Sequence, residues 1–269
     1  MIQKQRKGRN VVLKLLAAVV LSAVIGMSGI PGMSMVSTVH AADGEKTITG
    51  LGTGAIGNPS YGAGGWSYVY YGKFNSNPVK YRVLSKDTAD YSKDGTHTLF
   101  LDCDSILTNM AFHDSSNVWS SSSIKSWLNG DDFLENANVF SVQEKAAIIT
   151  SQADQHELTV GTGDKEVSPW TKNTFQNYVA LDDHIFALDA EEVSTNSYGY
   201  LTTDGTDSNR IKKDGSEAGS WWWLRSPISF NDDNAGCVNG DGDVNNVDVV
   251  NTGVGVSPAF NVNLSSVIF

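Results

Sequence analysis

Asp241-Gly242-Asp243-Val244-Asn245 sets oxygen donors at alternate positions, which is how a loop that wraps a hard cation such as calcium begins. The pattern then breaks. The sixth position is Asn246, where the sharp turn asks for glycine, and the twelfth is Thr252 in place of a bidentate glutamate. Calcium is therefore a candidate with an incomplete ligand set, and a tight hairpin turn explains the same residues. His97, His113, His156 and His184 are isolated, with no His-Glu-x-x-His helix and no Gly-x-Ser-x-Gly elbow. His113-Asp114-Ser115 contains triad residue types, but a triad is an arrangement in space that sequence neighbours do not supply. Cys103 and Cys237 could pair in an oxidising compartment; Cys103, in an apolar run, equally reads as a buried thiol. With no base–nucleophile pair and no metal cluster in view, no catalytic residue and no resident cofactor are assigned.

Recognition is the chemistry that the residue types favour. From Ser229 to Thr252 there is no Lys, Arg, Glu or Gln. Phe230, Asn231, Asp232, Asp233, Asn234, Asn239, Asp241, Asp243, Asn245, Asn246, Asp248 and Asn251 are the expected ligand contacts, with Val247, Val249 and Val250 adding apolar surface. The aspartates Asp232, Asp233, Asp241, Asp243 and Asp248 would favour a basic partner. Apolar, aromatic segments bracket the tract: Trp221-Trp222-Trp223-Leu224-Arg225-Ser226-Pro227 before it and Gly253-Val254-Gly255-Val256-Ser257-Pro258-Ala259-Phe260 after it. Trp127, Trp222, Trp223 and Arg225 are expected to be structural. Alternation along a strand would put Trp221 and Trp223 on one face and Trp222 and Leu224 on the other. One such face could stack on sugar rings, but core is the simpler reading for at least one of them. Arg225 needs a carboxylate or carbonyl partner, because a buried unpaired guanidinium is costly.

The elements that must hold this tract are legible in outline. Tyr68–Tyr71 and Val79–Leu84 read as a hairpin around Asn75-Ser76-Asn77-Pro78, and Thr98–Cys103 as a third strand. Ile124, Trp127 and Leu128 share a helical face that Asn129-Gly130 ends. Ser141-Val142-Gln143-Glu144 opens a second helix with a capping box, with Val142, Ala146 and Ile149 expected on its inner face. Thr150 to Asn177 reads as a polar surface excursion and Leu201 to Gly219 as a loop. Ile185–Leu188 is a buried strand candidate running into a short capped helix at Asp189–Glu192. Strands at Trp221–Leu224, Gly236–Val238 and Ala259–Leu264 complete an α+β domain over 66–269.

Ahead of it, residues 1–41 read as a secretory signal peptide: Lys4, Arg6, Lys7 and Arg9, an apolar run from Val11 to Ile25 interrupted by Lys14, and Val39-His40-Ala41-Ala42. Residues 42–65 read as a Gly-rich linker. Cleavage after Ala41 removes five of the 19 basic residues and none of the 30 acids, so the net charge moves from −11 to −16. That balance argues against nucleic acid and anionic membranes as partners. An extracellular protein or glycan ligand is expected, with no membrane span in the mature form.

The chain resembles a family of uncharacterised secreted proteins of Gram-positive bacteria, a domain of unknown function. The resemblance lies in Tyr81-Arg82-Val83-Leu84, Trp119 through Ser122 to Trp127-Leu128-Asn129, Phe140-Ser141 with Glu144-Lys145, Ile185-Phe186-Ala187-Leu188, and the ending Trp222 to Pro227. Where the family reads Gly-Val-Arg-Pro-Ala, this chain has Gly255-Val256-Ser257-Pro258-Ala259, without the arginine. The ending is also similar to the C-type-lectin-like fold in its prokaryotic, formylglycine-generating-enzyme form. That likeness implies antiparallel strands, two or three short helices and long loops. It further implies a displayed variable loop set of the kind that diversity-generating retroelements mutate at asparagine codons. Residues 229–252 contain none of the residues such mutagenesis excludes (Lys, Glu, Gln, Met, Trp), although turn chemistry favours the same composition. The lectin sugar triplets Glu-Pro-Asn and Gln-Pro-Asp are absent, and Phe230-Asn231-Asp232 only approximates Trp-Asn-Asp. An enzyme derived from the formylglycine-generating group and a structural wall or matrix protein are the alternatives to a recognition protein.

Overall fold

The computed structural model describes residues 37–40, 46–49, 58–62, 65–88, 97–153, 155–160, 166–173, 180–202, 205–216, 218–228 and 231–264. The expected signal segment lies outside them up to residue 36. The strands in chain order are β1 (Ser37–His40), β2 (Lys46–Thr49), β3 (Tyr68–Phe74), β4 (Asn77–Thr88), β5 (Thr98–Cys103) and β6 (Thr108–Asn109). Two short helices follow, α1 (Ser123–Asn129) and α2 (Val142–Ala147). Then come β7 (Ser151–Ala153), β8 (Gln155–Val160), β9 (Glu166–Asn173), β10 (Ala180–Asp183), β11 (Ile185–Phe186) and β12 (Trp222–Ile228). The last are β13 (Asn231–Val238), β14 (Val244–Asp248), β15 (Gly255–Val256) and β16 (Ala259–Asn263). The fold is α+β and mostly sheet.

An antiparallel five-stranded sheet has the order β11-β16-β5-β4-β3. Its hairpin β3–β4 turns at Asn75 and Ser76, both with positive φ, the backbone that lets a two-residue turn follow strand twist. β5 is buried along its whole length, as a central strand should be. The last strand, β16, inserts between β5 and β11, so the chain end closes this sheet. A larger sheet has the path β14-β13-β12-β15-β6, with β8 joining β12 and β9 joining β8. Strands β7 to β9 thus lie in the stretch read from sequence as a surface excursion, and β2 lies within the stretch read as linker.

The helices act as clamps. In α1, Ile124 and Leu128 are fully buried, while Trp127 is partly buried and stacks on Phe133 at 5.1 Å. Asn129, which ends α1, grips β11: its Oδ1 accepts from the His184 and Ile185 amides, and its Nδ2 donates to the Ile185 carbonyl at 2.8 Å. The capping box on α2 forms as expected, but the expected inner face does not. Val142 is 79% exposed and Ile149 lies beyond the helix. Glu144 turns inward instead, because its carboxylate bonds both Ser141 and the Gly72 amide of β3. Buried polar groups need such partners, and here that need sets the helix rotation.

Candidate functional site: the outer hairpin and its buried frame

Trp222, Trp223, Leu224 and Arg225 are all fully buried, so β12 has core on both faces; Trp221, ahead of the strand, is 39% exposed. No two-tryptophan sugar platform exists on this strand. The indole N–H of Trp222 donates to the Arg210 carbonyl (3.0 Å) and that of Trp223 to the Met110 carbonyl (2.8 Å). Of the residues expected to be structural, Trp222, Trp223 and Arg225 lie in the core and Trp127 is partly buried against it.

Arg225 takes both kinds of partner expected of it. Its guanidinium grips Glu192 through two bonds of 2.6 and 2.9 Å, lies 3.2 Å from Asp189 and donates to the Ala187 carbonyl. Asp189 and Glu192 cap each other's amides, at 2.8 Å in both directions. The expected short helix at Asp189–Glu192 is thus a capped turn leading into a 3-10 turn at Glu192–Ser194. Burial pushes the Glu192 carboxyl above the usual range, Arg225 pulling against it and Asp189 adding to it.

The segment read as a loop, Leu201 to Gly219, supplies two further fully buried cations. Arg210 reaches the carbonyls of Val193, Leu201, Gly205 and Gly242. Lys212 donates to Asp102 at 2.6 Å and to Ser257 at 2.7 Å, with its Nζ 4.0 Å from the centre of the Trp222 ring. Sequence periodicity could not find these residues, because Arg210 ends a single 3-10 turn and Lys212 lies in an isolated bridge, both too short to set a period. The one usable signal was Asp189-x-x-Glu192, a capping spacing next to an arginine in search of acids. The Ser257 hydroxyl accepts from Lys212 and donates to the Cys103 carbonyl.

A third basic residue, Arg82, bonds Asp104 at 2.6 Å, and Lys80 joins it at 2.9 Å. Burial works to raise the Asp104 pKa, but Arg82 and Lys80 outweigh it and hold the carboxyl below its ordinary value. A depressed carboxyl stabilises the fold fully above its unfolded pKa of about 3.9 and loses that contribution as pH falls through the folded value. Asp104→Asn should therefore lower stability at pH 7, and the deficit should shrink as pH falls through the folded value, as measured by urea unfolding at pH 7 and at the most acidic pH the fold tolerates. An equal deficit at both would contradict the assignment.

The polar tract is mostly strand. β13 pairs antiparallel with β12 and with β14, from Asn234 opposite Asp248 to Val238 opposite Val244. This corrects the expected loop set, and the hairpin's two ends differ. The turn end is docked. Gly242 is buried with φ +92°, and a Cβ there would meet the Asp207 carbonyl at 2.0 Å. Thr206 donates to Asp243 at 2.7 Å, and Arg210 holds the Gly242 carbonyl. Asn239 Oδ1 accepts from the amides of Asp241 and Asp243, and Asp241 Oδ1 accepts from Asp243. Of the oxygens weighed as calcium ligands, those of Asp241 and Asn245 thus accept from neighbouring backbone amides, and that of Asp243 accepts from the Thr206 hydroxyl. Among the described residues no group of three His, Cys, Asp or Glu is placed to hold a metal ion.

The other end is open. Asn231, Asp232 and Asp233 are exposed, as are Asp248, Val250 and Asn251. They adjoin across the sheet, because Val249 N donates to the Asp233 carbonyl at 2.8 Å. Asn117, 2% exposed, holds this end from below by donating to the Asn231 and Asn234 carbonyls. Asn234 and Asn246 bond each other across the strands at 2.7 Å. Val249 is buried and Val247 partly buried, so of the three valines expected to touch ligand only Val250 is exposed. Phe230 lies outside the described residues.

β14 is an edge strand. The Val249–Asp233 bond fixes which backbone groups point inward, and alternation turns those of Val244, Asn246 and Asp248 outward. Two of these are already occupied: the Asn246 amide by Asn245 Oδ1 and the Asp248 carbonyl by the Asn251 amide. That blunts the edge against strand addition and leaves side chains as the means of contact.

His113-Asp114-Ser115 does not make a triad. Ser115 Oγ donates to Asp114, and His113 Nδ1 accepts from the Ser115 amide. Cys103 and Cys237 are both buried and not joined in a disulfide. Burial pushes the Cys103 thiol up to about 11, with Lys212 opposing. Among the described residues no helix is long and apolar enough to cross a membrane.

In comparison with known proteins, the family model described as Domain of unknown function (DUF6273) matches residues 96–264. No curated protein and no solved structure matches the chain.

Proposed function

We propose that this chain, which belongs to the DUF6273 family of unknown function, is a secreted recognition protein that meets its ligand at the open end of the β13–β14 hairpin. The observation carrying the reading is the contrast between the two ends of one polar tract. One end is pinned by Arg210, Thr206 and the Gly242 contact. The other displays Asn231, Asp232, Asp233, Asp248, Val250 and Asn251 on a frame whose own charges are buried and paired. A fixed frame lowers the entropy cost of ordering contacts on binding. The ligand is an extracellular protein segment or glycan, and the exposed aspartates favour a basic one.

On this reading the frame is C-type-lectin-like, the chain leaves a Gram-positive cell by its N-terminal signal, and the tract is a target of retroelement diversification. The open end would carry the variation, since residues at the docked turn touch the frame. A near-copy of the tract's DNA beside a reverse-transcriptase gene would support that last point, and a genome lacking both would remove it.

Binding is tested on an array of glycans and extracellular proteins with the native chain, Asp232→Asn/Asp233→Asn/Asp248→Asn, and Asp241→Asn. The triple variant should lose at least about tenfold in affinity for the hits at low salt, an effect of about 1.4 kcal/mol, while Asp241→Asn binds as the native chain does. Equal binding by all three would refute the open end as the contact surface.

A further inference from the structure

We infer that Lys212 and Asp102 condense to form an intramolecular amide that ties β5 to the segment ahead of β12. Both side chains are completely buried, and Nζ lies 2.6 Å from Oδ1. Asp102 sits on β5, in the middle of the five-stranded sheet. Lys212 comes from the segment below β12 and bridges to Ser220 just before it. The carboxylate's second oxygen accepts from Tyr200 at 2.9 Å, and Nζ has a second contact in the Ser257 hydroxyl at 2.7 Å. The Trp222 ring covers Nζ at 4.0 Å. The pair is thus fully buried, held in contact and flanked by two hydroxyls, one on each partner.

The reaction needs no added reagent. A proton moves from Nζ to Oδ1 along their hydrogen bond, which gives a neutral amine and a carboxylic acid. Burial favours that shift by lowering the lysine pKa, with Asp102 opposing and Arg82 adding to it. The nitrogen lone pair then adds to Cγ, and the Tyr200 hydroxyl donates to Oδ2 as charge develops there. A second proton passes from Nζ to the adjacent Oδ1, 2.6 Å away in the starting pair, the Cγ–Oδ1 bond breaks, and one water departs. One N–H remains on the amide, and nothing is oxidised or reduced.

Two physical terms favour the product. Charges buried in a dry core carry a desolvation cost that an amide largely avoids. Enforced contact replaces a bimolecular encounter, with effective molarities of about 10⁵–10⁸ M when alignment is good. The link joins residues 110 apart in sequence, so it constrains the unfolded chain as a long-range disulfide would. The cysteines of this chain provide no such link.

Intact mass of the purified full chain under denaturing conditions reads the result. The expected mass is one water below that of the sequence, with a branched proteolytic peptide joining the Asp102 and Lys212 segments. Lys212→Met should keep its full sequence mass. Asp-Gly steps such as Asp214-Gly215 and Asp241-Gly242 can also lose water as cyclic imides, so a Lys212→Met chain equally light would overturn the inference. A native chain at full mass would overturn it too. If Lys212→Met does not fold, the branched peptide from the native chain decides: its presence supports the link, and unlinked Asp102 and Lys212 peptides refute it.

Discussion

Arg225→Met is expected to destabilise the fold by about 3–5 kcal/mol, because it strands Glu192 and Asp189 in the core without their cation. Both acids touch the guanidinium, and all three side chains are essentially unexposed. The cost is larger than that of a lost surface pair because neither carboxylate can turn to water. Arg225→Lys should fall between native and Met, since a point ammonium cannot reproduce the two parallel bonds to Glu192. The deficit should also depend on pH with a defined sign. Burial already raises the Glu192 pKa. A raised carboxyl favours the folded state at low pH, and that benefit is lost as pH rises through the folded value. Removing Arg225 takes away the group that pulls the Glu192 pKa down and so raises it further, so the Met variant should suffer less at pH 4 than at pH 7. Urea unfolding followed by tryptophan fluorescence measures this, and a loss under about 1 kcal/mol at pH 7 would mean that the carboxylates find other partners.

Gly242→Ala should cost about 2–5 kcal/mol, combining about 1–2 for a left-handed backbone with a side chain and about 1–3 for overpacking. The added carbon would meet backbone, the Asp207 carbonyl at 2.0 Å, and backbone cannot rotate aside. The turn should lift from the 201–210 segment and lose the Arg210 and Thr206 bonds to it. Hydrogen exchange should then quicken at the Gly242 and Asp243 amides, with the five-stranded sheet unaffected. Gly215→Ala is the control: its φ is +99° but nothing lies within 4 Å of the added carbon, so only the backbone strain remains. Equal losses in both variants would show that the contact with Asp207 contributes nothing.

Local signals were legible wherever one residue's chemistry decides the backbone. Asn75-Ser76-Asn77-Pro78 read as a turn; Asn75 and Ser76 make it, and Asn77 and Pro78 already begin β4. Ser141 with Glu144 read as a capping box and forms one. Of Ile124, Trp127 and Leu128, read as one helical face, Ile124 and Leu128 are fully buried and Trp127 partly so. Arg225 was expected to need a carboxylate or carbonyl, and it has both. The failures came where a distant partner overrides the local pattern. Val142 fits an inward position by spacing, yet Glu144 occupies the inner face because Gly72 and Ser141 satisfy it there. The Asn- and Asp-rich tract reads as loop by composition, yet the backbone ladder with β12 makes most of it sheet.

The sequence alone determined a sheet-rich α+β domain with tryptophan-lined strands around an uninterrupted polar tract, because side-chain periodicity and turn residues are properties of neighbours along the chain. Only the tertiary structure decided that Arg210 and Lys212 lie in the core beside Arg225, and which acids or carbonyls meet all three. It also decided that one end of the tract is docked while the other is open. Those outcomes depend on groups far apart in sequence meeting in a medium too dry to leave any charge unpaired, and residue order does not encode such a meeting locally.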